Sequence, residues 1–254
     1  MRGGPLTLIL GGTTEGYALA QTLTDAGCPV ISSLAGRTAN PRLPVGDVRI
    51  GGFGGIEGLH NYLTENRIEA VIDATHPFAS RMGWNAQAAC QQAMIPLLRL
   101  ERPAWEARDG DQWEPVQTWE QAVEAVRRQS RRVLMTIGRQ ELQHFTPLAD
   151  TWFLIRSVDA PNPMPPFAQA HVVLARGPFR LEDERTLLTT HAIDTIVCKN
   201  SGGSATDAKL TAARDLGIRV VILQRPPRPP TERVASTVEA VTWIQGLGRN
   251  NQGP

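Results

Sequence analysis

Short apolar runs alternate along the chain with segments whose apolar residues recur at helical spacing. The first helical segment extends from about Thr14 to Ala26 and stops at Gly27, a residue typical of helix C-termini. Strands and helices in strict alternation predict a parallel sheet with helices on both faces. The predicted strands of the first half are Leu6–Leu10, Pro29–Leu34, Val48–Ile50, Ala70–Ala74 and Pro96–Leu100.

The alternation breaks at Glu101–Trp113, which mixes charges with a proline and a glycine and is predicted to be a linker. A second series then opens with a helix at Thr118, and a last helix begins at Ser236, both at capping-box spacing. The sequence therefore predicts an α/β protein of two Rossmann-like domains with mostly parallel sheets, residues 1–101 and 102–254. The strands of the second series are Arg132–Ile137, Thr151–Val158, His171–Ala175, Thr195–Cys198 and Ile218–Leu223.

Composition narrows the class of protein. The 254 residues are 41% hydrophobic and 20% charged, which is typical of a soluble globular protein. With 26 Lys+Arg against 25 Asp+Glu, no overall basic field favours nucleic acid or a membrane surface as a partner. No run approaches the ~20 apolar residues of a membrane span, and a cytoplasmic location is expected. The scattered histidines and Cys28, Cys90 and Cys198 show no metal-ligand spacing, so no metal site is predicted.

The turn after the first strand resembles a dinucleotide fingerprint, because a strand leads directly through glycines into a helix. Gly12 would let a pyrophosphate approach the backbone, and Gly16 would let the helix pack closely on the strand. An ordinary βα turn that needs glycine for its geometry is the alternative. The predicted cofactor-binding residues of this turn are Gly11, Gly12, Thr13, Thr14, Glu15 and Gly16.

The end of the second strand indicates which dinucleotide is bound. NAD-binding units usually place an Asp or Glu there for the ribose hydroxyls. This chain has no carboxylate there and instead places Arg37 beside a glycine and hydroxyl donors, which favours the 2′-phosphate of NADPH. The alternative is that Arg37 is a solvated loop residue. The predicted cofactor contacts here are Ser33, Ala35, Gly36 and Arg37.

The third and fourth strands also end in unusual segments. Four glycines within residues 51–55 leave backbone exposed, and Gly52 and Gly54 are predicted to contact the cofactor. Thr75 and His76 follow the fourth strand and are expected near the nicotinamide half. His76 could donate a proton, bind substrate as a cation or cap the local backbone, and the last two roles are favoured because no partner is evident.

The strand ends of the second half carry cations at the same topological place. Four of the five segments contain an arginine and the fifth contains a lysine, so together they predict a face that binds an anionic ligand. These cations are Arg139, Arg156, Arg176, Lys199 and Arg225. Residues 199–203 before a helix also resemble an anion-binding nest. Lys199 joins His76 as a candidate for the chemical step. The predicted substrate-binding residues are Gly138, Arg139, Arg176, Lys199, Asn200, Ser201, Gly202 and Gly203.

These segments together resemble the precorrin-6A reductase family of cobalamin biosynthesis. The resemblance covers roughly residues 6–225, and each piece is specific only in combination with the others. The Tyr-x-x-x-Lys dyad of short-chain dehydrogenases is absent. The segments that carry the resemblance are Leu10–Gly16, Ala35–Arg37, Gly51–Gly55, Asp73–Ala79, Arg99–Pro103, Ile137–Arg139 and Cys198–Gly203.

The resemblance implies two domains with a cleft between them and NADPH-dependent reduction of one double bond of precorrin-6A to precorrin-6B, in vitamin B12 biosynthesis. The ring would be metal-free in the aerobic pathway or cobalt-containing in the anaerobic one, and the sequence leaves both open. A tetrapyrrole with several carboxylates also suits the cationic strand ends. The alternatives are another NADP-linked reductase of a small anionic substrate and a non-catalytic two-domain anion-binding protein. The sequence does not fix the oligomeric state, and a monomer is compatible with it.

Overall fold

The structure, a computed structural model, describes residues 4–36 and 42–250. The chain divides into two compact units, of which the first contains the residues up to Pro103 and those from Pro226 onward, and the second is Ala104–Arg225. The predicted first boundary, after residue 101, lies within two residues of this division. The prediction that residues 102–254 form one domain is wrong for its last part, because the chain returns to the first unit.

The first unit is built around a six-stranded sheet in which every pair of neighbours is parallel. Elements are numbered along the chain, and the sheet order is β12-β5-β4-β1-β2-β3. The strands are β1 (Thr7–Leu10), β2 (Val30–Leu34), β3 (Asp47–Ile50), β4 (Ala70–Asp73), β5 (Leu97–Leu100) and β12 (Arg233–Val234). The helices are α1 (Thr14–Asp25), α2 (Ile56–Glu65), α3 (Ser80–Ala93) and α7 (Thr237–Asn250).

Both faces of this sheet are covered, which explains why every residue of its central strands β1 and β4 is buried. Leu8 and Leu10 of β1 pack with residues of α2 and α3, whereas Ile9 packs in the cluster formed by α1 and α7. Successive side chains of a strand point to opposite faces, so a strand buried on both sides shows no polar alternation.

The C-terminal segment completes the first unit. β12 adds to the sheet beside β5. The predicted capping box of α7 is confirmed: Ser236 N–H and Oγ donate to Glu239 Oε2 at 3.0 and 2.7 Å, and Glu239 N–H donates to Ser236 Oγ at 3.3 Å. Ala240 and Ile244 are fully buried in the same cluster as Leu19 of α1.

The second unit has the same architecture. Its parallel sheet has the order β6-β11-β10-β7-β8-β9, so strands β7 to β11 occupy the positions of β1 to β5 in the first sheet. The strands are β6 (Trp113–Val116), β7 (Arg132–Thr136), β8 (Trp152–Ser157), β9 (Ala170–Leu174), β10 (Thr195–Lys199) and β11 (Arg219–Leu223). The helices are α4 (Trp119–Gln129), a 3₁₀ helix (Arg139–Phe145), α5 (Leu181–Thr190) and α6 (Ala208–Asp215).

The α/β class and the two Rossmann-like sheets predicted from the sequence are confirmed. In each sheet the strand order reverses at one point, between β1 and β4 in the first unit and between β7 and β10 in the second. Ligands of such sheets bind beyond the carboxyl ends of the strands at the reversal. The carboxyl ends of the strands at these two reversal points are therefore the candidate binding sites.

Candidate functional site

The turn between β1 and α1 is fastened to the neighbouring strand end by one side chain. Thr13 is the N-cap of α1, and its Oγ1 accepts a hydrogen bond from Gly16 N–H at 3.1 Å. The same hydroxyl donates to the carbonyl of Ala74, just after β4, at 2.7 Å. Thr13 thus joins the two sides of the first reversal point and fixes the N-terminus of α1 over it.

This turn has room for a phosphate group. Gly12 has φ +108°, and no heavy atom lies within 4 Å of where its Cβ would be. The first N–H groups of α1 lack intrahelical acceptors and carry the positive end of the helix dipole. Thr14 is exposed, and Glu15 turns aside to pair with Arg102 Nη1 at 2.6 Å. Open backbone at a helix N-terminus fits the pyrophosphate of a dinucleotide.

A cation that the sequence interpretation missed lies at the ends of β2 and β3. Arg49 Nη1 donates to Ser33 Oγ at 2.7 Å and to Gly51 O at 2.9 Å, and Nη2 donates to Gly52 O at 3.1 Å. Its guanidinium lies 3.8 Å from the centre of the Phe53 ring. Ala35 and Gly36 follow β2, whereas the predicted phosphate ligand Arg37 lies outside the described residues.

The glycine segment after β3 exposes its backbone. Gly51, Gly54 and Gly55 have φ of +123°, +83° and +109°, a region that favours glycine. No heavy atom lies within 4 Å of the Cβ positions of Gly52 and Gly54. The segment therefore offers open space and backbone polar groups at the carboxyl edge of the first sheet, where a cofactor contact was predicted.

The end of β4 is organised by a buried carboxylate. Asp73 Oδ1 accepts from the Thr75 N–H at 3.1 Å and from Thr75 Oγ1 at 2.6 Å. Asp73 Oδ2 accepts from Arg228 Nη2 at 2.5 Å, and Arg99 Nε lies 3.8 Å from it. Further on, His76 Nδ1 accepts from the Phe78 N–H at 3.2 Å. A neutral His76 ring with this bond carries its proton on Nε2, and the contact supports a local capping role.

Lys199 stands at the reversal point of the second sheet. Its Nζ lies 3.0 Å from Glu141 Oε1 and 5.5 Å from the centre of the Trp119 ring. It is also 3.8 Å from where a Cβ of Gly138 would be, so the absence of a side chain there leaves room beside the ammonium group. The turn after β7 and the end of β10 thus bring Gly138 and Lys199 together, as their shared topological place predicted.

The loop after β10 is held by side chains that bind its carbonyl groups. Arg225 donates to the carbonyls of Asn200 and Ser201 at 3.0 and 3.1 Å, and Trp105 Nε1 donates to Gly203 O at 2.8 Å. Lys209 Nζ donates to Thr206 O at 2.5 Å.

Fixed carbonyl groups also set where the loop's N–H groups point. In a trans peptide the N–H points away from the C=O of the same peptide group. The N–H of Gly202 therefore faces away from Arg225, and the N–H of Ser204 faces away from Trp105. Gly202 and Gly203 adopt φ of +68° and +80°. Asn200 itself is buried, and its side-chain amide makes two bonds to the backbone of Trp105, at 2.8 and 3.0 Å.

Only part of the predicted cationic rim faces outward. Arg176, after β9, is exposed, and Arg139 is 38% exposed with its Nη2 3.9 Å from Asp159 Oδ2. Arg156 is instead buried against Glu184, with its guanidinium 3.9 Å from the centre of the Phe179 ring. Since Arg225 binds loop carbonyls, Arg139, Arg176 and Lys199 are left as the predicted cations best placed to meet an anion.

Within residues 4–36 and 42–250, no helix is long and apolar enough to cross a bilayer. The same residues contain no group of three or more His, Cys, Asp or Glu side chains placed to hold a metal ion.

The chain has two parallel sheets with Rossmann strand order. In the first unit a glycine turn leads into a capped helix at the reversal point, an arrangement typical of dinucleotide-binding α/β proteins. In the second unit a lysine lies at the reversal point. Residues 7–245 match the family model described as Precorrin-6x reductase CbiJ/CobK. The chain therefore belongs to the precorrin-6A reductase family, whose members are oxidoreductases acting on a C=C bond of the precorrin ring.

Individual relatives agree with the family match over nearly the whole chain. A precorrin-6A reductase of Rhodococcus erythropolis is 49% identical, over 95% of this chain and 98% of its own length. A cobalt-precorrin-6A reductase of Priestia megaterium is 30% identical, over 87% of this chain and 91% of its own. A solved structure named CobK precorrin-6A reductase superposes with a TM-score of 0.92 at 42% identity, covering 96% of this chain and 97% of that one.

Proposed function

We propose that this chain catalyses the NADPH-dependent reduction of one C=C bond of precorrin-6A, giving precorrin-6B, in cobalamin biosynthesis. The main support for this proposal is the family match across residues 7–245. The open glycine turn at the N-terminus of α1 supports the use of a dinucleotide. The reduced nicotinamide supplies the hydride when it is bound, and the protein supplies orientation and charge.

The metal-free macrocycle is the substrate that the relatives favour. Those named precorrin-6A reductase from Rhodococcus erythropolis and Rhodobacter capsulatus are 49% and 42% identical to this chain. The cobalt-precorrin-6A reductases of Priestia megaterium and Synechocystis are 30% and 25% identical. We therefore assign the chain to reduction of the ring before cobalt is present.

The first unit is proposed to bind the cofactor. The α1 N-terminus and its turn would hold the pyrophosphate, and the open backbone after β3 would lie against the adenosine half. The missing carboxylate at the end of β2, together with Arg37, favours NADPH over NADH. The proposed contacts are Gly11, Gly12, Thr13, Thr14, Glu15, Gly16, Ser33, Ala35, Gly36, Arg37, Gly52, Gly54, Thr75 and His76.

The second unit is proposed to bind the carboxylates of the tetrapyrrole. Lys199, Arg139 and Arg176 would supply charge, and the loop after β10 would supply N–H groups whose direction is fixed by the bound carbonyls. A cationic environment around the ring also favours electron density arriving with the hydride. The proposed contacts are Gly138, Arg139, Arg176, Lys199, Asn200, Ser201, Gly202 and Gly203.

We also propose a cytoplasmic location. The thiols of Cys28, Cys90 and Cys198 are all buried, as expected for structural cysteines in a reducing compartment. Burial raises the pKa of Cys90 to about 12 and that of Cys198 to about 11, so both thiols stay protonated and unreactive at neutral pH.

The direct test is oxidation of NADPH that depends on added precorrin-6A. We expect the absorbance of reduced nicotinamide to fall only when enzyme and tetrapyrrole are both present, with precorrin-6B as product by mass. The cobalt-containing ring, assayed in parallel, should react more slowly. Oxidation with a different small anion alone would favour another reductase, and tetrapyrrole binding without oxidation would favour a binding protein.

His76→Ala should lower kcat by less than about tenfold at saturating NADPH and substrate, because a binding or capping contact acts mainly on affinity and local structure. The Nδ1 contact with the Phe78 N–H is consistent with that role. A general acid typically contributes ~10²–10⁴-fold. A thousandfold loss of kcat with substrate affinity intact would instead make His76 the proton donor.

A further inference from the structure

Arg49 is a half-buried cation whose charge no described carboxylate offsets. In the described residues of the first unit, Arg99 and Arg228 share Asp73, and Arg102 pairs with Glu15. The partners of Arg49 are the Ser33 hydroxyl, two loop carbonyls and the Phe53 ring.

This environment disfavours the charged form of the side chain. Desolvation lowers the pKa of Arg49 below its ordinary value, opposed only in part by Tyr62. The guanidinium nevertheless remains charged at every physiological pH. A bound anion would offset the desolvation cost that carbonyl and hydroxyl acceptors leave uncovered.

The guanidinium also has donors left for a ligand. An arginine has five N–H donors, and the contacts with Ser33, Gly51 and Gly52 use three of them. Arg49 is partly exposed, so an anion can reach it from the carboxyl edge of the sheet.

The position of Arg49 identifies the anion. Arg49 on β3 is in register with Ser33, the next-to-last residue of β2. In dinucleotide-binding units the end of the second strand meets the adenosine ribose, where an acid binds the 2′-hydroxyl of NAD and an arginine accommodates the 2′-phosphate of NADP. Here the residues from Ser33 to Gly36 contain no acid, and a guanidinium lies against the Ser33 side chain.

We infer that Arg49 binds the 2′-phosphate of NADPH and, with the Ser33 hydroxyl, selects NADPH over NADH. The inference rests on the proposed nicotinamide-dependent function. The bonds to Gly51 O and Gly52 O would at the same time fix the glycine segment in the shape that receives the adenosine half.

The experiment compares four ligands that differ in pairs by one phosphate: NADPH and NADH, and 2′,5′-ADP and 5′-AMP. Their dissociation constants are measured by calorimetry for the wild type, Arg49→Met, Arg49→Lys and Arg37→Ala. Arg67→Met is the matched control, since it removes one exposed positive charge from the α2–β4 turn at the opposite edge of the same sheet.

We expect Arg49→Met to raise the dissociation constants of NADPH and 2′,5′-ADP by about 10- to 150-fold, since one charge-assisted contact is lost. The dissociation constants of NADH and 5′-AMP should change little. Arg49→Lys should keep part of the preference, because an ammonium retains the charge without the planar fork. Arg67→Met should leave all four constants unchanged.

Two outcomes would overturn the inference alone. One is an equal loss of affinity for NADPH and NADH in Arg49→Met, which would mean that Arg49 only holds the glycine segment in place. The other is an undiminished NADPH preference in Arg49→Met that disappears in Arg37→Ala. A wild type that binds NADPH and NADH equally would instead contradict the proposed cofactor preference itself.

Discussion

Asp73→Ala is expected to lower the free energy of unfolding of the first unit by about 3–5 kcal/mol, the range for removing one partner of a buried ion pair. Asp73 is 1% exposed, and the side chains of Arg99 and Arg228 are each 7% exposed. Without the carboxylate, two buried guanidinium groups would face each other with no shared counter-ion. Arg99 Nε, Arg228 Nε and Arg228 Nη1 already have no hydrogen-bond partner among the described residues.

The loss is measured by native-state hydrogen exchange of the β1 and β4 amides, since two units need not unfold as one transition. Asp73→Asn should be nearly as harmful, because an amide restores no charge. Asp25→Ala is the matched control: its exposed carboxylate accepts one bond, from Gln21 Nε2 at 2.8 Å, and its loss should cost under about 0.5 kcal/mol. Equal protection of these amides from hydrogen exchange in the Asp73→Ala and Asp25→Ala proteins would contradict a stabilising role of Asp73 between the two arginines.

Ten of the twelve described strands were predictable from local sequence, and the two that were missed, β6 and β12, each lie at one edge of a sheet. The apolar runs of β1, β4, β7 and β10 identify central strands directly. β6 was not predicted: its first residue, Trp113, was assigned to the linker, and the strand contains Pro115, which an edge strand tolerates but a central one does not. β12 has two residues, and no periodicity can be detected over so short a length.

The return of the chain to the first unit had no local signal. The segment after β11 is rich in proline, which is typical of an extended connector, but a connector does not determine which sheet the following strand joins. That choice is made by pairing with β5 and by packing of α7 against α1, contacts between residues more than a hundred positions apart. Long-range pairing of this kind is decided by the assembled core and not by the segment itself.

Topology predicted where the site residues lie, but not which cations are available to a ligand. Residues at the ends of parallel strands share one edge, so the glycine turn and Lys199 could be located from the strand pattern alone. Arg156 was grouped with them, yet it is buried against Glu184, a partner on a distant helix. Arg49 was missed because it lies within β3, although a charge there and no acid after β2 were the available signal.

Lys199→Met is expected to raise the KM for the tetrapyrrole by about 10- to 150-fold, the worth of one charge-assisted bond to a carboxylate. The change removes a cation and also uncovers Glu141, whose Oε1 lies 3.0 Å from Nζ and would then repel an anionic ligand. Arg139 and Arg176 are more exposed, so water and salt should make their substitution less costly.

The affinity for NADPH should stay unchanged in Lys199→Met, because the proposed cofactor contacts lie in the first unit. The double variant Lys199→Met with Glu141→Gln should recover part of the KM, since it removes the uncovered negative charge together with the lysine. Arg131→Met, an exposed change at the opposite edge of the second sheet, is the matched control and should leave KM as it is. Lost NADPH binding would place the cofactor in the second unit. A fall in kcat of ~10²–10⁴-fold at unchanged KM would make Lys199 the proton donor, because only a group acting in the chemical step lowers kcat without weakening binding.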